Sequence, residues 1–297
     1  MKKLFPIFMM SLCALFASCN EYDADTAESY YQPSPGKRLV ASVKTTFYDN
    51  GECSHEHRFT YDAKNRIKSI NSNLVIYSPV VMNYYDTLYY KCNMTTSANY
   101  FYRGEELEVA FTVSTDYPEL PSMNRYLSSS NFGVFTPNGV LSRFSVASYE
   151  YSATMLQRAY TDGDICFEVA RNADGNVTGY KKYQVTTDKV IDDNRGRYHY
   201  YPGRNNTNFD FSAYFGYWGV EQCVPVIARP YRAPYQLAAF GMLGATSNAL
   251  PWGVIETGAD GKDNYIYSKE DWEFDSKGCP ISYVDTEGRR TVITYYE

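Results

Sequence analysis

The chain ends in the stretch Trp272-Glu-Phe-Asp-Ser-Lys-Gly-Cys-Pro-Ile-Ser-Tyr-Val-Asp-Thr-Glu-Gly-Arg-Arg-Thr-Val-Ile-Thr-Tyr-Tyr-Glu297. An aromatic residue and an aspartate lead into a turn that ends at Gly278, and an alternating run follows. Glycine tolerates the positive φ of tight turns, and alternation is typical of a strand with one buried face. The stretch therefore predicts three strands joined by two tight turns. We interpret it as a scaffold unit, set by turn geometry and cross-strand packing.

Versions of this unit recur from residue 39 onward. Tyr61-Asp62-Ala63-Lys64-Asn65 matches Phe274-Asp275-Ser276-Lys277-Gly278, with asparagine at the glycine position. Asparagine is the other residue that tolerates the left-handed region. Strict alternation over 39–47 and 105–113 predicts strands. Further turn signals stand at Asn50-Gly51, Arg103-Gly104, Asn138-Gly139, Asp162-Gly163, Asp174-Gly175 and Glu287-Gly288.

Long helical periodicity is absent between residues 38 and 204, which indicates an all-β protein. We predict one domain over 38–297, an antiparallel up-and-down β-meander. Its sheet is strongly curved, or closed into a water-soluble barrel-like sheet. An aromatic, weakly charged insertion at about 205–257 interrupts the pattern. We expect this insertion to be irregular, to contain a short helix over Tyr235–Leu243, and to pack against the sheet, because exposing it would create a sticky patch.

The N-terminus carries the features of a lipoprotein signal peptide over residues 1–18. Two lysines precede a mostly apolar run that is too short to span a bilayer. Phe16-Ala17-Ser18-Cys19 resembles the bacterial lipobox, which implies that Cys19 becomes the lipid-modified N-terminus. Residues 19–37 have the composition of an acidic, flexible tether. The acidic run beside the lipid resembles the export signal of surface-exposed lipoproteins of Bacteroidetes. We therefore expect a lipid-anchored outer-membrane protein facing outward, with a periplasmic position as the alternative.

Composition excludes some partners. The net charge of −6 and the absence of a basic run argue against nucleic acid and against an anionic membrane surface. Membrane contact is expected through the N-terminal lipid alone. The cysteines after Cys19 are five in number and widely spaced: Cys53, Cys92, Cys166, Cys223 and Cys279. We expect scattered buried thiols, with at most two disulfides.

The chain resembles a Bacteroidetes lipoprotein family of unknown function that is described as having a porin-like fold. The resemblance rests on the lipobox, the two aromatic-Asp hairpin units, the aromatic stretch over 210–215 and the C-terminal unit. It covers most of residues 38–297. It implies an antiparallel, strongly curved or closed sheet, and it implies no reaction.

Motifs for catalysis and cofactors are missing from the sequence. It contains no G-x-S-x-G, H-E-x-x-H, Walker A or G-x-G-x-x-G motif. Cys53, His55 and His57 alternate on one predicted strand, so their side chains share a face and could ligate zinc or copper. Neighbours on a strand face are roughly 7 Å apart, and a fourth ligand is not identified, so we interpret them as a half-buried polar strip. We expect no metal, no cofactor and no enzymatic activity.

The aromatic excess favours a binding role, since aromatics make up 17% of the chain and include 31 tyrosines. Sugar rings stack on such side chains, so we expect glycan or a partner protein to bind through the aromatic insertion or one sheet face. A structural or adhesin-like outer-membrane component is the alternative, and a glycoside hydrolase-like enzyme comes third. The candidate ligand-binding residues are Trp218, Trp252, Tyr198, Tyr200 and Tyr201.

Overall fold

The computed structural model describes most of the chain from Glu28 to Glu297. The described residues are 28–33, 35–47, 52–81, 87–161, 164–193, 195–196, 198–201, 205–211, 236–244, 247–257, 263–267, 272–285 and 288–297. The strands in chain order are β1 (Val40–Thr46), β2 (Ser54–Tyr61), β3 (Ile67–Val81), β4 (Thr87–Arg103), β5 (Glu106–Asp116), β6 (Arg125–Phe135), β7 (Leu141–Phe144), β8 (Ala147–Ser152), β9 (Met155–Thr161), β10 (Ile165–Arg171), β11 (Val177–Gln184), β12 (Lys189–Asp193), β13 (Tyr198–Tyr201), β14 (Leu250–Thr257), β15 (Asp263–Tyr267), β16 (Glu273–Phe274), β17 (Pro280–Val284) and β18 (Arg290–Tyr295).

Fifteen of these strands form one antiparallel sheet, in the order β12 to β1 followed by β18, β17 and β16. Each strand pairs with its neighbour in sequence, except that β18 returns to pair with β1, with Val43 opposite Ile293. The strands β13, β14 and β15 form a second, three-stranded sheet. The predicted all-β antiparallel meander is confirmed. The large sheet is not closed, since β12 and β16 are its outer strands and do not pair across the described residues.

Four hairpin turns share one hydrogen-bond pattern, which confirms that the aromatic-Asp unit is a turn device. In each turn a side-chain oxygen accepts the backbone N–H of the residue four positions on, at 2.9–3.0 Å. The residue three positions on has positive φ, which explains the glycine or asparagine there. The turns start at Asp62, Asn172, Asp275 and Asp285, and the positive-φ residues are Asn65, Gly175, Gly278 and Gly288. The turn pairs at 50–51 and 162–163 lie outside the described residues.

One hydrophobic core fills the inner face of the large sheet. It takes buried side chains from strands far apart in the sheet order, such as Val43 on β1, Val109 on β5 and Val177 on β11. On β5 the predicted alternation is confirmed, because the inward residues Leu107 to Val113 are buried and their neighbours are not. A sheet whose distant strands contribute to one core must be strongly curved.

Residues 205–211 and 236–244, here called the inner segment, lie inside this curve. The N–H of Asn208 donates to the carbonyl of Arg38 at 3.0 Å, and the N–H of Leu141 donates to Met242 at 2.8 Å. Gly244 forms an isolated bridge with Met155. Contacts with the start of β1, with β7 and with β9 show that the sheet wraps around the inner segment. The prediction that the insertion packs against the sheet is confirmed for residues 205–211 and 236–244.

The helix predicted over 235–243 is wrong for the described residues 236–243. They form consecutive turns, and Gln236, Gly241 and Gly244 adopt positive φ, which an α-helix cannot contain. The end of the insertion also differs from the prediction, because residues 250–257 form strand β14. The described part of the chain contains no helix with the length and hydropathy needed to cross a membrane.

The packed part of the chain begins earlier than predicted. From Glu28 the segment expected to be tether lies against the sheet, and Ser29 pairs with Gly104. Tyr31 is 3% exposed, stacks on Tyr102 and Phe135, and is part of the core. A large aromatic side chain that removes its ring from water explains why the tether prediction fails from residue 28 onward. The predicted signal peptide over residues 1–18 and residues 19–27 lie outside the described residues.

Candidate functional site

Two of the predicted ligand-binding tyrosines have scaffold roles. Tyr198 lies on β13 and is buried in the core. Tyr200 packs against the same core, and its hydroxyl donates to the carbonyl of Val177 on β11. These side chains attach the three-stranded sheet to the large one. Their buried contacts correspond to the packing role that tyrosines on sheet faces commonly have.

The other described candidates lie together on the small sheet. Trp252 on β14 has ring contacts with Tyr201 and His199 of β13, with centroids 6.5 and 5.0 Å apart. A bulge between His199 and Tyr200 gives β14 one extra residue opposite this point of β13, and Trp252 occupies it. Trp252 and Tyr201 are therefore the two predicted ligand-binding residues that the structure brings into contact on this sheet. Their role in binding stays a prediction, and Trp218 and Cys19 lie outside the described residues.

The strip of Cys53, His55 and His57 shares one face as predicted, but it is not half-buried, because Cys53 and His57 are buried. The rings of His55 and His57 are 4.1 Å apart at their centroids, and Nδ1 of His57 lies 2.5 Å from the hydroxyl of Ser72. His57 is buried and also stacks on Phe59 of the core. The described residues hold no group of three His, Cys, Asp or Glu side chains placed to share a metal ion.

The cysteines in the described residues are free and buried. Burial raises the pKa of the Cys92 and Cys166 thiols, so both are held in the protonated, unreactive form. The expectation of scattered buried thiols is confirmed for Cys53, Cys92, Cys166 and Cys279. Cys223 lies outside the described residues.

A polar groove of about 500 Å³ lies across β2 to β6, on the face opposite the core. Two rows of outward side chains, each following the register from strand to strand, form its sides. The first row is Arg58, Asn71, Ser97 and Thr112, and the second row is Glu56, Asn73, Thr95, Ser114 and Tyr126. Its size is that of a small-molecule site.

The charged side chains of the groove neutralise each other. Arg58 Nε donates to Glu56 Oε1 at 2.8 Å, and Nη2 donates to Oε2 at 3.3 Å. The carboxylate raises the pKa of Arg58 through these hydrogen bonds and its charge, so the guanidinium stays ionised. The other lining side chains are hydroxyls, amides and one phenol. The groove is therefore electroneutral, and it is rich in hydrogen-bond donors and acceptors.

The other half of the outer face shows that this neutrality is local. Across β8 to β12 one cross-strand row carries charges of alternating sign: Glu150, Arg158, Glu168, Lys181 and Asp193. Arg158 lies 3.7 Å from Glu150 and 3.5 Å from Glu168. One sheet thus presents two outer surfaces: the β2 to β6 surface has the electroneutral groove, and the β8 to β12 surface carries a row of alternating charges.

One aromatic side chain stands at the β6 end of the groove. Tyr126 is 67% exposed and lies opposite Ser114 of β5. An exposed aromatic ring beside hydroxyl and amide side chains provides both a stacking surface and hydrogen bonds. These are the residue types that carbohydrate recognition uses.

Sequence reasoning missed the groove, although a signal for it was present. In the middle of β3 and β4 the outward positions read Ser69, Asn71, Asn73 and Asn93, Thr95, Ser97, Asn99, a run of polar residues without a charge. Outward strand faces of soluble proteins commonly carry Lys and Glu. The run was informative, but only the strand register shows that its members align into rows.

No family model matches this sequence, and no curated protein is similar to it. Among solved structures, the chain is similar to a porin-like protein from Bacteroides uniformis, with 9% sequence identity and a TM-score of 0.37. The similarity covers 90% of this chain and 100% of that chain. Similarity at this level establishes neither a shared family nor a shared function.

Proposed function

We propose that this protein is a lipid-anchored component of the cell envelope that binds glycan in the groove across β2 to β6. The observation that carries the proposal is the electroneutral groove of about 500 Å³, lined by hydroxyl and amide side chains, with the exposed ring of Tyr126 at one end. Neutral sugars offer many hydroxyls and apolar ring faces but no charge, so the hydroxyls, amides and aromatic ring of the groove complement them.

The groove supports binding rather than hydrolysis. A glycosidase of the usual kind needs two carboxyl groups about 5–9 Å apart. Glu56 is the one acidic side chain that lines the groove, and it is held by Arg58. We therefore propose a non-catalytic role at this site.

The sequence of the N-terminus supports an outer-membrane position for the protein. The lipobox ending at Cys19 and the acidic residues after it support anchoring in the outer membrane with the domain facing outward. Protease shaving of intact cells tests the outward position: digestion is expected, and protection would place the domain in the periplasm. Replacing Cys19 with serine is expected to abolish incorporation of a labelled fatty acid.

A glycan array tests the binding proposal. The full-length mature protein, kept in a zwitterionic detergent so that no sugar detergent competes, is expected to bind a defined set of glycans. Tyr126→Ala is expected to weaken that binding about 5- to 150-fold, the loss of one stacking contact of roughly 1–3 kcal/mol. Phe132→Ala is the control, because Phe132 is an exposed aromatic residue on the same strand outside the groove. A blank array, or equal losses in both variants, would reject the groove as a glycan site.

A further inference from the structure

The floor of the groove is formed by backbone and runs across the strands, as its lining residues show. Ser72 and Thr96 also line the groove, although they occupy the strand positions between its two rows. Because side chains alternate along a strand, the side chains at these positions point to the inner face of the sheet. Ser72 is buried, and its hydroxyl lies against His57 on that inner face. These residues therefore contribute main chain to the groove. The floor is a strip of backbone that runs from strand to strand between two polar rows.

The dimensions of the groove follow from the geometry of a sheet. Neighbouring strands are about 4.8 Å apart, so the five strands β2 to β6 span roughly 19 Å. The two rows are two residues apart along each strand, a width of about 6.7 Å. The groove is thus long across the strands and narrow along them. Its strand-to-strand repeat is close to the length of one sugar unit in an extended chain.

The polar groups repeat with the same spacing. Between the ends, each strand offers one amide or hydroxyl on either side of the floor, as Asn71 and Asn73 do on β3 and Ser97 and Thr95 do on β4. A linear chain of sugars lying across the strands would meet a new pair of hydrogen-bonding groups at each unit. A globular or branched ligand would use only part of this repeat.

Charge restricts the ligand further. The groove carries no net charge, and the whole chain carries −6. An acidic polysaccharide would lose the hydration of its carboxylates or sulfates without meeting a free cation, which is costly. A neutral chain has no such penalty.

We propose that the ligand is a neutral, extended, linear oligosaccharide that lies perpendicular to the strands, with one sugar unit per strand over four or five units. This inference rests on the proposed function, and it assigns the substrate class and the binding direction at the same site.

Titration calorimetry with oligosaccharide series of increasing length tests this inference. Three neutral linear series, β-linked glucose, mannose and xylose oligomers of one to eight units, are compared with oligogalacturonates of the same lengths. We expect at least one neutral series to bind, with affinity rising at each added unit up to four or five and then levelling off. The oligogalacturonates are expected to bind at least tenfold more weakly.

Two variants test the direction of binding. Tyr126→Ala at the β6 end is expected to abolish the increase in affinity that the last added sugar unit gives. The affinity for the three-unit oligomer is expected to change less than twofold. Ser97→Asp in the middle of the first row is expected to weaken all lengths above two units at least tenfold. Ser130→Asp is the matched control, since Ser130 is exposed on β6 outside the groove.

The outcomes separate the two proposals. Preference for the acidic series, or equal affinity for one and five units, would overturn the neutral extended ligand and leave glycan binding in place. Binding to none of the series, together with a blank glycan array, would overturn both.

Discussion

The carboxylate of Asp62 both accepts the backbone hydrogen bonds of its turn and pairs with the buried guanidinium of Arg66. It accepts the backbone N–H groups of Lys64 and Arg66, both at 2.9 Å, and the Nε of Arg66 at 2.6 Å. The Arg66 side chain is fully buried, and its guanidinium lies 4.4 Å from the ring centroid of Tyr102. Asp285 and Arg289 repeat the pair, but there the arginine side chain is 22% exposed.

The Asp62–Arg66 and Asp285–Arg289 pairs predict different losses of stability when the aspartate is replaced with asparagine. Asp62→Asn keeps an acceptor for the turn but leaves the Arg66 charge buried, so we expect a loss of about 3–5 kcal/mol in the free energy of unfolding. Asp285→Asn is the matched control, with an expected loss of about 2 kcal/mol because Arg289 reaches water. Urea unfolding followed by tryptophan fluorescence measures both. A loss at Asp285 equal to that at Asp62 would contradict burial as the cause.

Asp275 predicts a dependence of stability on pH. The backbone N–H of Cys279 is the main cause that lowers the pKa of its carboxyl, and the N–H of Lys277 and the Arg38 guanidinium lower it further. A group whose pKa is lower in the folded state stabilises the fold above its unfolded pKa, about 3.9, and loses that contribution as pH falls through the folded value.

We therefore expect Asp275→Asn to unfold at lower urea concentration than the natural chain at pH 7. The difference between the two midpoints is expected to shrink as pH falls from about 4 toward 2, because the natural carboxyl then takes up a proton. Midpoints measured across this range check the sign. A difference that stays constant from pH 7 to pH 2 would contradict the ionised carboxylate as its source.

At the scale of elements, the hairpin turns differ in what surrounds their glycines. Gly139 and Gly288 have almost the same φ, 78° and 76°. A Cβ added at Gly139 would lie 2.7 Å from the carbonyl oxygen of Tyr30, whereas a Cβ at Gly288 would meet nothing within 4 Å. The Gly139 turn is therefore covered by the segment around Tyr30 that precedes β1.

Alanine substitutions in the Gly139 and Gly288 turns distinguish the cost of backbone strain from the cost of a steric clash. Gly288→Ala is expected to cost about 1–2 kcal/mol, the penalty of an alanine in the left-handed region. Gly139→Ala is expected to cost clearly more, because the Tyr30 backbone must also move. Thermal or urea unfolding of both variants measures the difference. Equal losses would show that the segment around Tyr30 yields without cost.

At the scale of the whole molecule, the inner segment is the centre around which the sheet curves. Phe209 is fully buried, with ring centroids 5.1–5.3 Å from those of Phe59, Phe211 and Phe240. The amide of Asn205, buried in the segment, donates to the carbonyls of Phe209 and Ser247 at 3.1 and 2.8 Å. The segment thus supplies core to strands that do not pair with one another.

Removing one ring from this centre is expected to destabilise the whole sheet. Phe209→Ala leaves a cavity among three aromatic rings, with an expected loss of about 3–5 kcal/mol in the free energy of unfolding. Phe132→Ala is the control, since its ring is 61% exposed on the outer face and its loss is expected within about 0.5 kcal/mol. Similar small losses in both variants would show that the inner segment is dispensable.

The features predicted correctly from sequence are those that a few neighbouring residues determine. The turn at Asp275 to Gly278 needs a carboxylate, a positive-φ residue and two flanking strands, all within one short window. The buried face of β5 follows from strict alternation, and the stacking of Trp272 on Tyr283, at 4.7 Å, follows from the cross-strand packing expected of the C-terminal unit. The lipobox ending at Cys19 is also a local pattern, and the lipid modification of this residue stays a prediction.

The features that only the tertiary structure decided depend on contacts between distant residues. Tyr31 belongs to the core because the chain before β1 lies beside Gly104, and nothing near Tyr31 in sequence indicates this. Residues 205–211 and 236–244 of the insertion lie in the interior because the curvature of the sheet leaves a space that their apolar side chains fill. The rows of the groove exist because five strands pair in one register, so that Asn73 and Thr95 become neighbours. Strand register and sheet curvature are sums over many long-range contacts, whereas a turn is settled by the backbone preferences of four or five residues.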